Sequence, residues 1–248
     1  MRVTRIQKSL VRILHLYPNH MNLYGDRGNV IALQHRAALR GIAVDVINVE
    51  PGDPIAWSDV DLIFMGGGED SHQARIAEDF LRRATELTAV LEDGIPMLAI
   101  CGAYQLLGHY YRTVEGQKLP GIGYLDVTTE AGRPRATGDV VAKTTLAISP
   151  ESLVGFENHG GRTFLGPGVV PLGTVELGQG NNGQDQTEGG IRQHTIGTYL
   201  HGSLLPKNPH LTDLLLGWAL NPGESSSILD PVAMDLELKA HGVILNRR

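Results

Sequence analysis

The feature that most constrains the fold is the segment from Pro96 to Gly108, in which an apolar run stops at the only cysteine of the chain. Met97 to Ile100 is a short apolar run typical of a strand that is buried on both faces. Two very small residues follow Cys101, and a helical pattern begins at Tyr104. A strand that turns sharply into a helix at a cysteine predicts a nucleophile elbow at the edge of an α/β sheet.

The elbow would give the Cys101 thiol the surroundings that a reactive thiolate needs. Backbone N–H groups at the start of the helix point toward the thiol, and their partial positive charge favours the thiolate. Gly102 and Ala103 leave room for a substrate to approach the backbone closely. A lone cysteine is more often a small buried hydrophobic residue, but the strand–turn–helix context favours the reactive alternative.

The first half of the chain alternates between strand and helix patterns. Further strands are predicted at Val11–Tyr17, Ile42–Val49 and Asp61–Met65, and an amphipathic helix at Ser71–Asp93. This order predicts an α/β fold with a mainly parallel sheet covered by helices. Ligands of such sheets bind at the carboxyl ends of the strands.

The second half of the chain has a different composition. Tyr124–Leu177 is richer in Thr, Val and Gly, which predicts mixed or antiparallel strand pairing. The polar, Gly-rich stretch Gly178–Gly190 predicts a mobile surface loop. A last buried strand is predicted at Thr195–Leu200 and a helix at Leu211–Leu220. We expect one domain over residues 1–248, with a core at about 11–220, a linker at 221–227 and a C-terminal helical extension at about 228–241.

Composition excludes several classes of function. The chain has 248 residues, 42% of them hydrophobic, and a formal net charge of -6. No stripe of Lys or Arg is present, so nucleic acid and anionic membranes are poor partners. No apolar stretch reaches the ~20 residues of a membrane span, and we expect a soluble, cytoplasmic protein without direct membrane insertion. No metal-ligand spacing or P-loop occurs, so neither a metal nor ATP is expected on this chain.

Two further elements are expected to meet Cys101 at the same edge of the sheet. Gly66–Gly68 follows a predicted strand, and the N–H groups of Gly67 and Gly68, together with that of Gly102, could form an oxyanion hole. A plain glycine turn is the alternative for the triplet. His201 follows the last predicted strand, where its imidazole could activate the thiol and protonate a leaving amine.

A Gly-bounded polar cluster surrounds His159 and Asn158. It predicts either a substrate-binding loop or a structural turn.

The combination of motifs resembles a known family. The segment PMLAICGAYQLLG resembles the nucleophile motif of class I, triad-type glutamine amidotransferases of the cobyric acid synthase branch, and Gly197–Gly202 resembles that branch's histidine motif. Five segments together are most similar to the glutaminase subunit of lipid II isoglutaminyl synthase: YGDRGN (Tyr24–Asn29), GGGED (Gly66–Asp70), the elbow, GFENHGGRTFLG (Gly155–Gly166) and GTYLHGSLLPKNP (Gly197–Pro209).

The resemblance implies a division of labour between two subunits. This chain would hydrolyse L-glutamine through a Cys101 thioester and deliver ammonia to a Mur-ligase-like partner in a heterodimer. That partner would hold ATP and Mg and amidate the D-glutamate of lipid II, so this chain would need no cofactor.

The resemblance also implies a set of substrate-binding residues. Arg135 would contact the substrate carboxylate through its guanidinium fork, although Arg133 is close by. Gln105, Asn158 and His159 complete the predicted set.

One departure concerns the residue that orients His201. Ordinary class I enzymes carry a glutamate two residues after the histidine, whereas Gly202 and Ser203 follow here. Either Glu157 supplies the carboxylate or the partner subunit does, and the resemblance favours the partner. Two other interpretations stay open: the glutaminase of a cobyric or cobyrinic acid amidating system, and a non-catalytic scaffold subunit.

Overall fold

The structure is a computed structural model that describes residues 9–68, 70–222 and 229–247. Its strands are Leu10–Leu16 (β1), Ala43–Val49 (β2), Leu62–Met65 (β3), Met97–Ile100 (β4), Tyr110–Arg112 (β5), Lys118–Pro120 (β6), Val127–Thr144 (β7), Ser152–Leu165 (β8), Gly173–Leu177 (β9), Thr187–Glu188 (β10), Gly190–Arg192 (β11) and Thr195–Thr198 (β12). Its helices are Arg27–Ala38 (α1), Asp70–Arg82 (α2), Ala84–Glu92 (α3), Gly102–Leu107 (α4), Leu204–Lys207 (α5), Pro209–Leu220 (α6) and Asp235–Leu245 (α7).

The first sheet is the predicted, mainly parallel one. Its strand order is β11-β12-β4-β3-β1-β2, and β11 is its antiparallel member. β3 and β4 are buried along their whole length, as continuous apolar runs predict for a sheet covered on both faces. The carboxyl ends of β1, β3, β4 and β12 therefore lie side by side at one edge.

The second sheet is mainly antiparallel, as the composition after Tyr124 predicts. It is built on the long hairpin of β7 and β8, beside which β5, β6, β9 and β10 pair. An isolated bridge between Phe156 of β8 and His201 joins this sheet to the end of the first one. One contiguous apolar core contains Tyr104 of α4, Tyr199 after β12 and Val140 of β7. Both sheets therefore contribute to it.

Two details of the sequence interpretation are wrong. The helix predicted at 71–93 is two helices that meet at Arg83, whose ψ of -1° departs from the helical mean. The Arg83 N–H is shared between Asp79 O and Phe80 O, at 3.3 and 3.2 Å. The stretch 178–190 is only in part a surface loop: residues 183–186 are exposed, but Asn181, Asn182 and Glu188 are buried, and Asn181 donates to Gly189 O at 2.9 Å.

The C-terminal extension forms α7, slightly later than predicted, while most of the predicted linker lies outside the described residues. Arg36 of α1, almost fully buried, joins α6 and α7 by ion pairs to Asp213 and Glu237. Across the described ranges, no helix is long and apolar enough to cross a membrane.

Candidate active site

The predicted elbow is present at Cys101. The residue lies between β4 and α4 with φ 50° and ψ -102°, a conformation that L-residues rarely adopt and that costs about 1–3 kcal/mol. Its backbone N–H donates to Thr198 O at the end of β12, at 2.8 Å, which fixes the turn to the neighbouring strand. Gly102 must be small because a Cβ there would lie 2.6 Å from Gln73 Nε2. The thiol is thus held at the carboxyl edge of the sheet.

His201 lies beside the cysteine, as predicted. It is fully buried, and its backbone exchanges two hydrogen bonds with Phe156 of β8. Gly67 fits between the two side chains: a Cβ at this position would be 2.5 Å from His201 Cε1 and 3.3 Å from Cys101 Cβ. The Tyr24 ring packs edge-on against the imidazole, with ring centroids 5.1 Å apart. Cys101 and His201 are therefore adjacent in a closely packed site.

The third group is Asp26, which the sequence interpretation missed. Its carboxylate is fully buried, and Oδ1 accepts a hydrogen bond from His201 Nδ1 at 3.3 Å. Its second oxygen, Oδ2, accepts the Gly67 N–H at 2.7 Å. A carboxylate at Nδ1 directs the other ring nitrogen, Nε2, toward the nucleophile and stabilises the imidazolium. Cys101, His201 and Asp26 thus lie together in the order of a triad within one chain, and His201 Nε2 is buried and unpaired in the described part of the chain.

Asp26 bears on both expectations about the orienting acid: it is an alternative to an acid from the partner subunit, and it replaces Glu157. The acid does not have to come from a partner subunit, because Asp26 already occupies the position next to Nδ1. Glu157 does not take that role either. Its oxygens accept the backbone N–H groups of Gln179 and Gly180 at 2.7 and 3.1 Å, and its charge faces His159 at 3.3 Å.

The YGDRGN segment explains how Asp26 reaches a histidine 175 positions away. Ser203 Oγ donates to Gly25 O at 2.6 Å, and Asn29 Oδ1 accepts the Leu205 N–H at 2.8 Å. Gly28 allows this close approach, since a Cβ there would lie 2.2 Å from Ser203 Oγ. The segment and the one after His201 are therefore packed together, with Asp26 pointing at the ring.

The charges around His201 change its pKa. Burial alone would lower the pKa of the imidazole, but the negative charge of Cys101 and the hydrogen bond to Asp26 outweigh it and raise the pKa to about 10. The ring is therefore protonated at neutral pH. The imidazolium is the form of the ring that can protonate a leaving nitrogen.

The oxyanion donors differ in part from the prediction. The Gly67 N–H is engaged by Asp26 and is not a free donor, so this part of the predicted set is wrong. The N–H groups of Gly68 and Gly102 have no hydrogen-bond partner in the described part of the chain. These two groups remain available beside Cys101 for a developing oxyanion.

A cavity of about 460 Å³ opens next to the thiol. It is lined by Leu23, Tyr24, Gly68, Gln73, Cys101, Gln105, Tyr111, Arg135, Asn158, His159, Gly160 and Gly161.

Arg135 is therefore at the cavity, unlike Arg133. Its guanidinium donates to Asn158 Oδ1 and O at 3.1 and 3.0 Å, and Asn158 Nδ2 donates to Tyr24 Oη at 2.7 Å. These three side chains, of which Arg135 and Tyr24 are exposed and Asn158 is half-buried, form one rim of the opening.

Gln105 and His159 line the cavity, but their polar atoms are hydrogen-bonded to other groups of the protein. Gln105 Nε2 donates to Tyr199 Oη at 3.0 Å, and Gln105 Oε1 accepts from Gln73 at 3.1 Å. His159 contacts Gly161 O at 2.8 Å and Glu157, and its ring stacks on Tyr199 at 3.7 Å. Both side chains shape the wall of the cavity, and their substrate contacts stay a prediction.

Comparisons with known proteins agree with this geometry. Residues 12–209 match the model of the CobB/CobQ-like glutamine amidotransferase domain. The chain is 42% identical over 238 residues to the lipid II isoglutaminyl synthase (glutamine-hydrolyzing) subunit GatD of Staphylococcus aureus, with 95% of each chain covered. It is 36% identical to the protein of the same name from Streptococcus pneumoniae, covering 91% of this chain and 86% of the relative.

The chain is also similar to a more distant relative in sequence and to a solved structure in fold. Cobyric acid synthase of Pelotomaculum thermopropionicum is 34% identical over 183 residues, which are 68% of this chain and 34% of that protein. A glutamine amidotransferase from Thermotoga maritima has the same fold, with a TM-score of 0.55 at 13% identity and coverage of 95% and 94%. The predicted α/β fold is thereby confirmed, and the chain belongs to the CobB/CobQ-like glutamine amidotransferase family.

Proposed function

We propose that this chain is the glutaminase subunit of a two-subunit enzyme that amidates the D-glutamate of lipid II. The observation that carries the glutaminase role is the grouping of Cys101, His201 and Asp26 beside a cavity, with two N–H groups that have no partner among the described residues. Extensive similarity to two GatD subunits supports the lipid II assignment.

The geometry suits hydrolysis of a carboxamide in two steps. The Cys101 thiolate attacks the side-chain carbonyl carbon of L-glutamine, and the oxyanion is held by the Gly68 and Gly102 N–H groups. The C–N bond breaks as the His201 imidazolium protonates the nitrogen, and ammonia leaves. The neutral imidazole then takes a proton from water, which attacks the thioester. The C–S bond breaks, glutamate leaves and the ion pair is restored.

The partner is proposed to be a Mur-ligase-like synthetase subunit in the cytoplasm. It would bind ATP and Mg, activate the acceptor carboxylate and receive the ammonia, while this chain works without a cofactor. The absence of a P-loop motif supports this division.

The second candidate is the glutaminase component of a cobyric acid-type system. The similarity to cobyric acid synthase supports it, but the match covers 34% of that protein against 95% of the Staphylococcus aureus subunit. We therefore favour lipid II as the acceptor.

Reconstitution with the partner tests the proposal. The co-purified pair is incubated with L-glutamine, ATP and Mg and with lipid II or a cobyrinic acid acceptor, and glutamate and amidated product are quantified. Glutamate release with amidation of lipid II is expected. Amidation of the cobyrinic acid acceptor alone would contradict lipid II as the acceptor. Absence of glutamate release would contradict the glutaminase role.

Arg135 gives a test of the substrate contact. An arginine fork binds a carboxylate through two parallel hydrogen bonds, which a lysine ammonium cannot reproduce. Arg135→Lys and Arg135→Ala should therefore both raise KM for L-glutamine by roughly ten-fold or more, as expected for a charged hydrogen bond. Arg133→Ala is the matched control. An unchanged KM in both Arg135 variants, with a raised KM in Arg133→Ala, would transfer the role to Arg133.

The raised pKa of His201 predicts the pH dependence. The imidazolium is kept up to about pH 10, so kcat/KM should persist above neutral pH and decline only as the ring loses its proton there. In Asp26→Asn one of the groups that raise this pKa is lost, and the alkaline decline should shift to lower pH. A decline near 6.5 in the unmodified chain, the ordinary value of histidine, would contradict the ion-pair assignment.

A further inference from the structure

Gln73 is a buried amide beside the nucleophile to which the mechanism above gives no role. It lies in the first half of α2, is 2% exposed and lines the active-site cavity. Its Nε2 donates to Gly68 O at 3.2 Å and to Gln105 Oε1 at 3.1 Å. Because both partners are acceptors, these two bonds fix which end of the amide is nitrogen and which is oxygen.

The other end of this amide is unsatisfied. Gln73 Oε1 is buried and has no hydrogen-bond partner in the described part of the chain. Leaving such an acceptor without a donor costs about 1–3 kcal/mol, so native proteins rarely do so without a reason. A ligand in the cavity that brings an N–H group would remove this cost.

L-Glutamine offers two kinds of N–H group, the carboxamide and the α-ammonium. The carboxamide nitrogen must face His201, which packs against Gly67. The Gln73 amide lies against Gly102 and Gly68, the residues whose N–H groups the proposed mechanism assigns to the carbonyl oxygen. The group left for Gln73 is the α-ammonium, while Arg135 takes the α-carboxylate.

We propose that Gln73 Oε1 accepts a hydrogen bond from the α-ammonium of L-glutamine and selects for a substrate that carries it. This inference rests on the proposed glutaminase function and adds a specificity residue to the site. Gln105, the sequence-based candidate on the elbow helix, is less suited because its Oε1 and Nε2 already bond to Gln73 and Tyr199.

The test compares L-glutamine with 4-carbamoylbutanoate, which is glutamine without the α-amino group. The full chain with its partner subunit is assayed for ammonia release, and kcat/KM is measured for both compounds. The unmodified protein should prefer L-glutamine, and in Gln73→Leu this preference should fall by roughly ten-fold or more, the size of a lost hydrogen bond to a charged group. A purely structural role would lower both values together and leave their ratio unchanged.

Gln105→Leu is the matched control, since it breaks the same Gln73–Gln105 bond but keeps Gln73 Oε1. It should retain the preference for L-glutamine. Gln73→Met covers the case in which the leucine variant does not fold: it keeps the length of the side chain without an acceptor oxygen, and the preference should fall in it as well. An unchanged ratio in either variant would overturn the proposal. Loss of activity in the unmodified protein would instead contradict the glutaminase function.

Discussion

Replacing Cys101 by alanine is expected to abolish glutamine hydrolysis, with kcat falling on the order of 10⁴-fold or more, because no covalent thioester can form without the thiolate. The measurement is glutamate release by the chain together with its partner. Amidation driven by free ammonia should survive, since the proposed function assigns that step to the partner's site. The two readouts together separate loss of the nucleophile from loss of the complex.

The serine variant is the control for folding. Cys101→Ser keeps nearly the same shape at the strained elbow, and its melting temperature should stay close to that of the unmodified chain. Glutamate release that persists in Cys101→Ala would contradict the assignment of the nucleophile.

Replacing Asp26 by asparagine should have the second largest effect. The amide can still accept the Gly67 N–H through its oxygen, but it carries no charge to stabilise the His201 imidazolium. Loss of this charge in a serine-protease triad lowers kcat by about 10⁴, and a Cys–His pair depends on it less. We expect kcat to fall by about two to four orders of magnitude, in the isolated chain as well as with the partner.

Glu157→Gln is the matched control for Asp26→Asn. It also neutralises a buried carboxylate next to a histidine, but at His159 rather than at His201. Its effect on kcat should be far smaller. If Asp26→Asn keeps full activity once the partner is bound, the partner supplies a functional acid after all, and Asp26 acts only on the Gly67 loop.

The parts of the fold and site with a local signal could be predicted from the sequence. Met97–Ile100 has the same bounds in the structure, because a short apolar run between Pro96 and Cys101 fits no other element. Cys101 and His201 could be placed near each other from the sequence because both follow buried strands, and the carboxyl ends of parallel strands meet at one edge. Local pattern and global topology agree at these positions.

Asp26 could not be found in this way. It follows no apolar strand directly, and its contact with His201 depends on how the segment after β1 packs against the segment after β12. A local pattern carries no information on such a contact. The burial of Asn181 and Asn182 was missed for a similar reason: their side chains donate to Gly189 O and Thr163 O, and hydropathy does not register such bonds.

The two oxygens of Asp26 bind two different groups of the site: Oδ1 accepts from His201 Nδ1, and Oδ2 accepts from the Gly67 N–H. A movement of the carboxylate therefore displaces the imidazole and the peptide that precedes the Gly68 donor together. Energetic effects of changes at positions 26, 67 and 201 should consequently be non-additive in a double-mutant cycle. The same coupling means that ring alignment and oxyanion stabilisation cannot be tuned independently in this chain.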